Sequence, residues 1–244
     1  MGKINESTYI SWDKDAERLL LYADIMGFKD RTFRSTHDQL KKDFICFRNK
    51  WDRQIKPLFD KKDYLKFVQF SDSFLIVAKG VDAKMFNLIS KAAVRLMHVA
   101  LEIGFPIKGV LSQGEFTYSD DKQLYFGRPL VDAAVLHDQL KFYGIAVHHS
   151  AEKIVKDFKS ADNPYFYSKI ALKTGKVSHY HLAWHLINKS LDAADNTELC
   201  KKWLASIAES VSGEPRVYID NTLDIIQQDV YVNPSGEAGV VEKK

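Results

Sequence analysis

Leu19-Leu-Leu-Tyr-Ala-Asp24-Ile-Met-Gly-Phe28 and Lys66-Phe-Val-Gln-Phe-Ser-Asp72-Ser-Phe-Leu-Ile-Val77 are the two stretches on which the fold turns. In each, an acidic residue stands at the edge of an apolar, strand-like run that has no packing reason to end in a charge. Arg18 to Ile25 is a continuous apolar run flanked by charge, as in a strand buried on both faces, and is expected to be the central strand. Tyr64–Phe70 and Phe74–Val77 are β-rich runs separated by Ser71-Asp72-Ser73, which predicts a hairpin with Asp72 at its tip. Asp and Ser between strands are also ordinary turn chemistry. A carboxylate after five mostly apolar residues is costly to bury without a partner. Carboxylate oxygens suit hard cations, and Mg²⁺ is usually held by one or two carboxylates together with substrate phosphates. The pair Asp24 and Asp72 therefore predicts metal-dependent chemistry on a nucleoside triphosphate.

The rest of the chain reads outward from these strands. From Thr36 to about Lys56, Leu40, Phe44, Phe47, Trp51 and Ile55 recur at helical spacing, and Pro57 marks the end. Phe44, Phe47 and Trp51 share a face that suits core or dimer contact. Ala83 to Ile103 is a strong helical pattern closed by Gly104 and Pro106. Ile107–Gln113 and Glu115–Tyr118 suggest a second hairpin-like pair broken at Gly114. Gly127–Leu140 reads as a helix with Pro129 in its first turn, and Gly144–His148 as a short strand. Val177–Leu186 reads as a strand, Asn196–Val211 and Ile219–Asp229 as helices, and 233–244 as a loose tail. This order calls for an antiparallel-rich α+β sheet with helices on one face.

Composition bounds these readings. The 244 residues are 45% hydrophobic and 27% charged, enough for one large domain with a full core. Net charge is +3, and the lysines are scattered apart from pairs such as Lys61-Lys62, which excludes the basic stripe of a nucleic-acid-binding face. Cys46 and Cys200 have no paired spacing and read as reduced thiols of a cytoplasmic protein. The N-terminal residues lack the apolar stretch of a signal peptide, and no run is long enough to span a membrane.

Tyr22-Ala-Asp-Ile-Met-Gly-Phe28 resembles the first metal motif of class III nucleotidyl cyclases, and Ser71-Asp-Ser73 falls where those enzymes carry the second metal aspartate. Ile107-Lys-Gly-Val-Leu-Ser-Gln-Gly114 resembles the strand after their long helix. Gly127-Arg-Pro-Leu-Val-Asp-Ala-Ala134 resembles their glycine-to-helix segment near the dimer interface. With a late Pro215-Arg-Val-Tyr-Ile-Asp-Asn-Thr222, the set is similar to the bacterial pyrimidine cyclases of the Pycsar antiphage defence systems.

The resemblance implies a ferredoxin-like class III cyclase fold. The domain spans residues 17–186, after a lead-in of 1–16 and before a helical extension of 187–232 packed on it. It implies conversion of UTP, or CTP, to a 3′,5′-cyclic mononucleotide that signals to a separate cyclic-nucleotide-sensing effector. It also implies two Mn²⁺ or Mg²⁺ ions per site, held by Asp24, Asp72 and the Ile25 carbonyl, in a head-to-tail homodimer with sites at its interface. The backbone N–H groups of Met26, Gly27 and Phe28 are suited to phosphate oxygens, since Gly27 has no side chain in the way.

The departures matter as much. The helix positions that carry an Asn and an Arg in purine cyclases hold Val131 and Val135 here, and the base-selecting positions fall near Val68 and Leu124. A purine code is absent. The transition-state cation is left among Arg128, Arg31, Arg34, Lys108 and Arg216. Asp132 is expected to bond near its helix start. His179, His181 and His185 share one parity and could form a zinc face, but the spacing matches no zinc motif and solvent-facing alternation explains it as well. His137, His148 and His149 read as surface or packing residues. A second reading of the whole chain is a cyclase-fold nucleotide-binding or dimerisation module without turnover.

Overall fold

The computed structural model describes residues 11–12, 14–59, 63–158, 163–187 and 192–232. Most of the expected lead-in, Lys61-Lys62 and the expected tail at 233–244 lie outside the described residues. Strand β1 (Ala16–Ile25) pairs antiparallel on both sides, with β3 (Ser73–Ala78) and β4 (Ile107–Ser119). With β2 (Leu65–Phe70), β6 (Gly144–Val147), β7 (Tyr165–Leu172) and β8 (Gly175–Leu182) it forms a sheet ordered β2-β3-β1-β4-β6-β8-β7, and β5 (Leu124–Gly127) pairs with the end of β4. All pairings are antiparallel except β4 with β6, which are joined through β5 and helix α4 (Arg128–Gln139) as a parallel pair requires. The result is a mixed α+β fold with a mainly antiparallel eight-stranded sheet.

Two expectations are corrected. Gly114 does not break a hairpin: β4 runs unbroken through it, and the hairpin partner is β5 beyond the turn at residues 120–123. A Cβ at Gly114 would stand 3.1 Å from the Pro129 ring, so the glycine admits α4 against the strand. Helices also cover both faces of the sheet. Leu19, Leu21, Ala23 and Ile25 enter a large core with α2 (His37–Gln54), α3 (Ala83–Glu102) and α6 (Ala193–Ser210), while Leu20 and Val110 pack on the other face with Ala133 of α4. Helix α7 (Glu214–Val232) runs beside β7 and sends Ile219 and Ile226 into the first core and Ile225 into the second.

Phe47 and Trp51 are core residues, and Trp51 stacks on Phe67 with ring centroids 3.8 Å apart. Short α1 (Phe28–Arg34), α5 (Glu152–Asp157) and β7 have no counterpart in the sequence reading, because each is too short or too mixed to display a period. The expected strand at Val177–Leu186 ends at Leu182, and Trp184–Leu186 form a 3-10 turn. Both cysteines are free, Cys46 exposed and Cys200 buried. None of the described helices is long and apolar enough to cross a membrane.

Arg18, which the sequence presents as a flanking charge, is fully buried. Its guanidinium donates to the carbonyls of Lys79 (3.0 Å), Lys14 (2.9 Å), Ser11 (3.3 Å) and Phe116 (3.4 Å) and lies over the Trp12 ring. Burial lowers its pKa and nearby Asp15 partly offsets this. Arg18→Met would leave those carbonyls without their donor, so a urea melt should show a loss of about 3 kcal/mol. A midpoint equal to wild type would show that the tie carries no stability.

Candidate metal and phosphate site at the end of the central strand

The pairing register sets one row of side chains on the face that also carries Tyr22: Phe70 of β2, Ser73 of β3, Asp24 of β1 and Lys108 of β4, ending at Gly144 of β6. The next row along is Val68, Leu75, Tyr22, Val110 and Ala146. Directly opposed residues of neighbouring strands share a face, so the register itself brings Asp24, Ser73 and Lys108 together. Ser71 and Asp72 form the two-residue loop between β2 and β3, with Ser71 in the left-handed region at φ 54°.

Two hydrogen bonds fasten the aspartates to each other's strands. The Ile25 amide donates to the Asp72 carbonyl at 3.0 Å, and the Ser73 hydroxyl donates to Asp24 Oδ1 at 2.9 Å. Burial raises the pKa of Asp24, the neighbouring Asp72 charge raises it further, and the Ser73 bond and Lys108 pull it back. Asp72 lies near enough to Asp24 for its charge to disfavour ionisation, and a cation between two such carboxylates would relieve that repulsion. Asp24, Asp72 and a backbone carbonyl are hard oxygen donors, and among the described residues no cluster of three or more His, Cys, Asp or Glu completes a closed cage. That donor set fits an ion that keeps waters and shares phosphate oxygens.

Gly27 takes φ 72° at the start of α1, where a side chain would be strained. The Met26 amide donates to the Pro106 carbonyl at 2.8 Å. It is therefore spent, which corrects its expected place in a phosphate cradle. The Gly27 and Phe28 amides remain at the helix opening, where no intrahelical acceptor exists.

The cation candidates separate by their partners. Arg31 pairs with Asp43 at 2.7 Å and donates to the Gly104 carbonyl. Arg216 donates to the Val211 carbonyl, Arg34 is exposed at the end of α1, and Arg128 is 83% exposed and pairs with Asp132 one turn on. Lys108 is buried beside Asp24 and donates to the Leu140 carbonyl at 3.5 Å. Burial, with Lys141 and Lys173 nearby, lowers its pKa to about 8. Among the described residues it has no carboxylate partner within ion-pair distance, whereas Lys141 pairs with Glu214 and Lys173 with Asp138.

Val68 lies one row from Asp24, but Arg128 and Leu124 do not share its end of the sheet. Gly127, beside Arg128, pairs with Phe116, and Leu124 pairs with Ser119. At a rise of about 3.3 Å per residue, Phe116 is about 26 Å along β4 from Lys108. Ser73 and Tyr22 are functional candidates the sequence reading missed; Ser73 was visible only as turn chemistry, and Tyr22 only as core. Tyr22 is half-buried against His137, with ring centroids 5.1 Å apart.

His179 and His181 share one face of β8, but His185 lies beyond the strand in the 3-10 turn, so the three do not line one strand face. His181 Nε2 bonds Asp229 of α7 at 3.2 Å and Ser168 at 2.7 Å, His185 Nε2 lies 3.5 Å from the other Asp229 oxygen without a hydrogen bond, and His179 faces the Tyr180 carbonyl.

No protein-family profile and no curated protein matches the chain. Among solved structures it is similar to a bacterial light-regulated adenylyl cyclase, with a TM-score of 0.51 and 11% identity over 77% of this chain and 99% of that one. It is also similar to the catalytic core of a rhodopsin-guanylyl cyclase with converted specificity (TM-score 0.45, 16% identity, 69% and 96% covered). A third is an adenylate/guanylate cyclase/hydrolase from Silicibacter pomeroyi (TM-score 0.47, 15% identity, 69% and 97% covered). At these identities the likeness is one of fold, which the chain shares with the light-regulated adenylyl cyclase.

Proposed function

We propose that the chain is a nucleotidyl cyclase that converts a pyrimidine ribonucleoside triphosphate, UTP before CTP, to its 3′,5′-cyclic mononucleotide and pyrophosphate. The product would act as a bacterial antiphage signal read by a separate effector. The observation that carries the reading is the pair of aspartates, Asp24 and Asp72, tied at one end of the central strands by the Ile25 amide to Asp72 carbonyl and Ser73 hydroxyl to Asp24 bonds. The ribose 3′-oxygen attacks the α-phosphorus, the bond to pyrophosphate breaks, and the hydroxyl proton leaves to solvent. Two Mn²⁺ or Mg²⁺ ions, when held by Asp24, Asp72 and the Ile25 carbonyl, supply charge neutralisation and acidify that hydroxyl. The chain's own residues orient the triphosphate: the Gly27 and Phe28 amides meet phosphate oxygens, and Lys108, next to Asp24 in the row, brings positive charge from the other side. The extension at 187–232 belongs to the same unit, and the protein works in the cytoplasm.

Arg128 and Leu124 would join such a site only from a second copy, since within one chain they lie far along β4. Val131 and Val135 are 62% and 63% exposed on the outer side of α4, beside a shallow groove of about 490 Å³ with Leu130 and Ala134. We expect a head-to-tail homodimer through this strip. Val131→Asp with Val135→Asp should shift sedimentation from dimer to monomer and remove at least about 90% of activity by desolvating two charges in the contact. A fully active monomer would refute it.

Those valines also favour a second reading, a nucleotide-binding module without turnover, because purine cyclases carry Asn and Arg there. Incubation with each of the four ribonucleoside triphosphates and Mn²⁺, with mass-spectrometric detection of products, separates the two. A cyclic pyrimidine nucleotide supports the enzyme, and no turnover of any nucleotide leaves the module.

A further inference from the structure

The late stretch Pro215-Arg-Val-Tyr-Ile-Asp-Asn-Thr222 takes no part in the site described above, yet it is the segment of α7 that grips the loop holding Lys108. Three contacts make the grip. Thr222 Oγ1 accepts from the Tyr143 amide at 2.8 Å, and Asn221 Nδ2 donates to the Lys141 carbonyl at 2.8 Å. The Tyr218 ring stacks on Tyr143 with centroids 5.5 Å apart and planes 20° from parallel. The gripped loop, residues 140–143, carries the Leu140 carbonyl that accepts from Lys108 and leads into Gly144, the register neighbour of Lys108. The Tyr218 ring itself lies 5.7 Å from Lys108 Nζ and 5.1 Å from Lys141 Nζ. A lysine has four side-chain rotors to order, and one bond of 3.5 Å to Leu140 does not fix them by itself. An aromatic face and a fixed carbonyl narrow its choices.

We infer that Tyr218 and Thr222 of α7 are positioning residues that aim the Lys108 ammonium at the triphosphate, so that α7 belongs to the phosphate-binding machinery although none of its residues touches substrate. This rests on the cyclase reading of the Asp24 site. Lys108 is then set by a segment more than a hundred residues away in sequence, and the loop between α4 and β6 is the connection.

The test is calorimetric binding of inorganic tripolyphosphate in the presence of Mn²⁺, which needs neither a base nor turnover. Lys108→Met should weaken binding about tenfold or more, as for a lost charged hydrogen bond. Tyr218→Leu and Thr222→Val should each weaken it about three- to tenfold, while Tyr218→Phe, which keeps the ring, stays near wild type. In the Lys108→Met background, Tyr218→Leu should cost nothing further, because both act through one group. A merely structural role predicts lower melting temperatures with unchanged affinity, or losses that add to that of Lys108→Met; either overturns the positioning role while leaving the site intact. Wild-type binding by Lys108→Met would instead remove Lys108 from the phosphate site, and the inference with it.

Discussion

Asp24→Ala and Asp72→Ala should each lower cyclisation by at least about three orders of magnitude, since charge stabilisation by bound metal is worth several kcal/mol and each 1.4 kcal/mol is about tenfold. Circular dichroism should be unchanged, because neither side chain fills the core. Asp24→Asn makes the sharper version. In the folded chain, burial and Asp72 raise the Asp24 pKa, so the ionised form costs stability at neutral pH, and that cost disappears as pH falls through the folded value. The amide keeps an oxygen for the Ser73 hydroxyl and carries no charge. Metal-free Asp24→Asn should therefore melt above wild type at pH 7 and be inactive. Mn²⁺ should raise the wild-type melting temperature and leave that of Asp24→Asn unmoved. An active Asp24→Asn, or equal Mn²⁺ shifts in both proteins, would end the metal assignment.

The same site should show a basic limb. Lys108, with its pKa lowered to about 8, loses its charge as pH rises through that value. Activity should fall above about pH 8, and Lys108→Arg, which stays charged, should move the fall to higher pH. A limb at the same pH in both would assign it to another group.

Base selection is the second large effect. Val68 and its row neighbours Leu75 and Tyr22 present no amide or charge to a purine edge, and Leu124 is equally apolar. A site discriminates most where the wrong substrate leaves polar groups unpaired, and a narrow pocket also excludes by size. The specificity constants for ATP and GTP should fall at least about a hundredfold below that of the preferred pyrimidine nucleotide. Val68→Lys with Leu124→Asp, which installs the pair often found in adenylate cyclases, should narrow that gap at least about tenfold. Competition with equimolar nucleotides measures both. An ATP constant equal to that of UTP or CTP would overturn the base-selection argument, and a CTP constant above that of UTP would overturn the preference for UTP alone.

The central strand, the hairpin with Asp72 at its tip and helix α3 are legible in the residues themselves. Leu19 to Ala23 carries no charge on either face, and Met85 to Leu101 repeats with the period of a helix, so local pattern and burial point the same way. The closeness of Asp24 and Asp72 followed from two strand ends and the resemblance. Gly114 misled because a glycine in a strand marks either a break or a close approach, and only the Pro129 ring on its far side distinguishes the two. The five cations could not be ranked from sequence for a related reason. Arg31 is paired with Asp43, Arg128 stands far along β4 beside Asp132, and Lys108 lies next to Asp24 without a carboxylate partner in ion-pair distance among the described residues, while Glu214 and Asp138 pair with Lys141 and Lys173. Those partners are set by strand register and by α7 folding back on the loop after α4, contacts between residues far apart in the chain. Periodicity reports which face of an element is buried. Which charge is left unpaired beside a carboxylate is decided only when the sheet has closed its register and the last helix has docked.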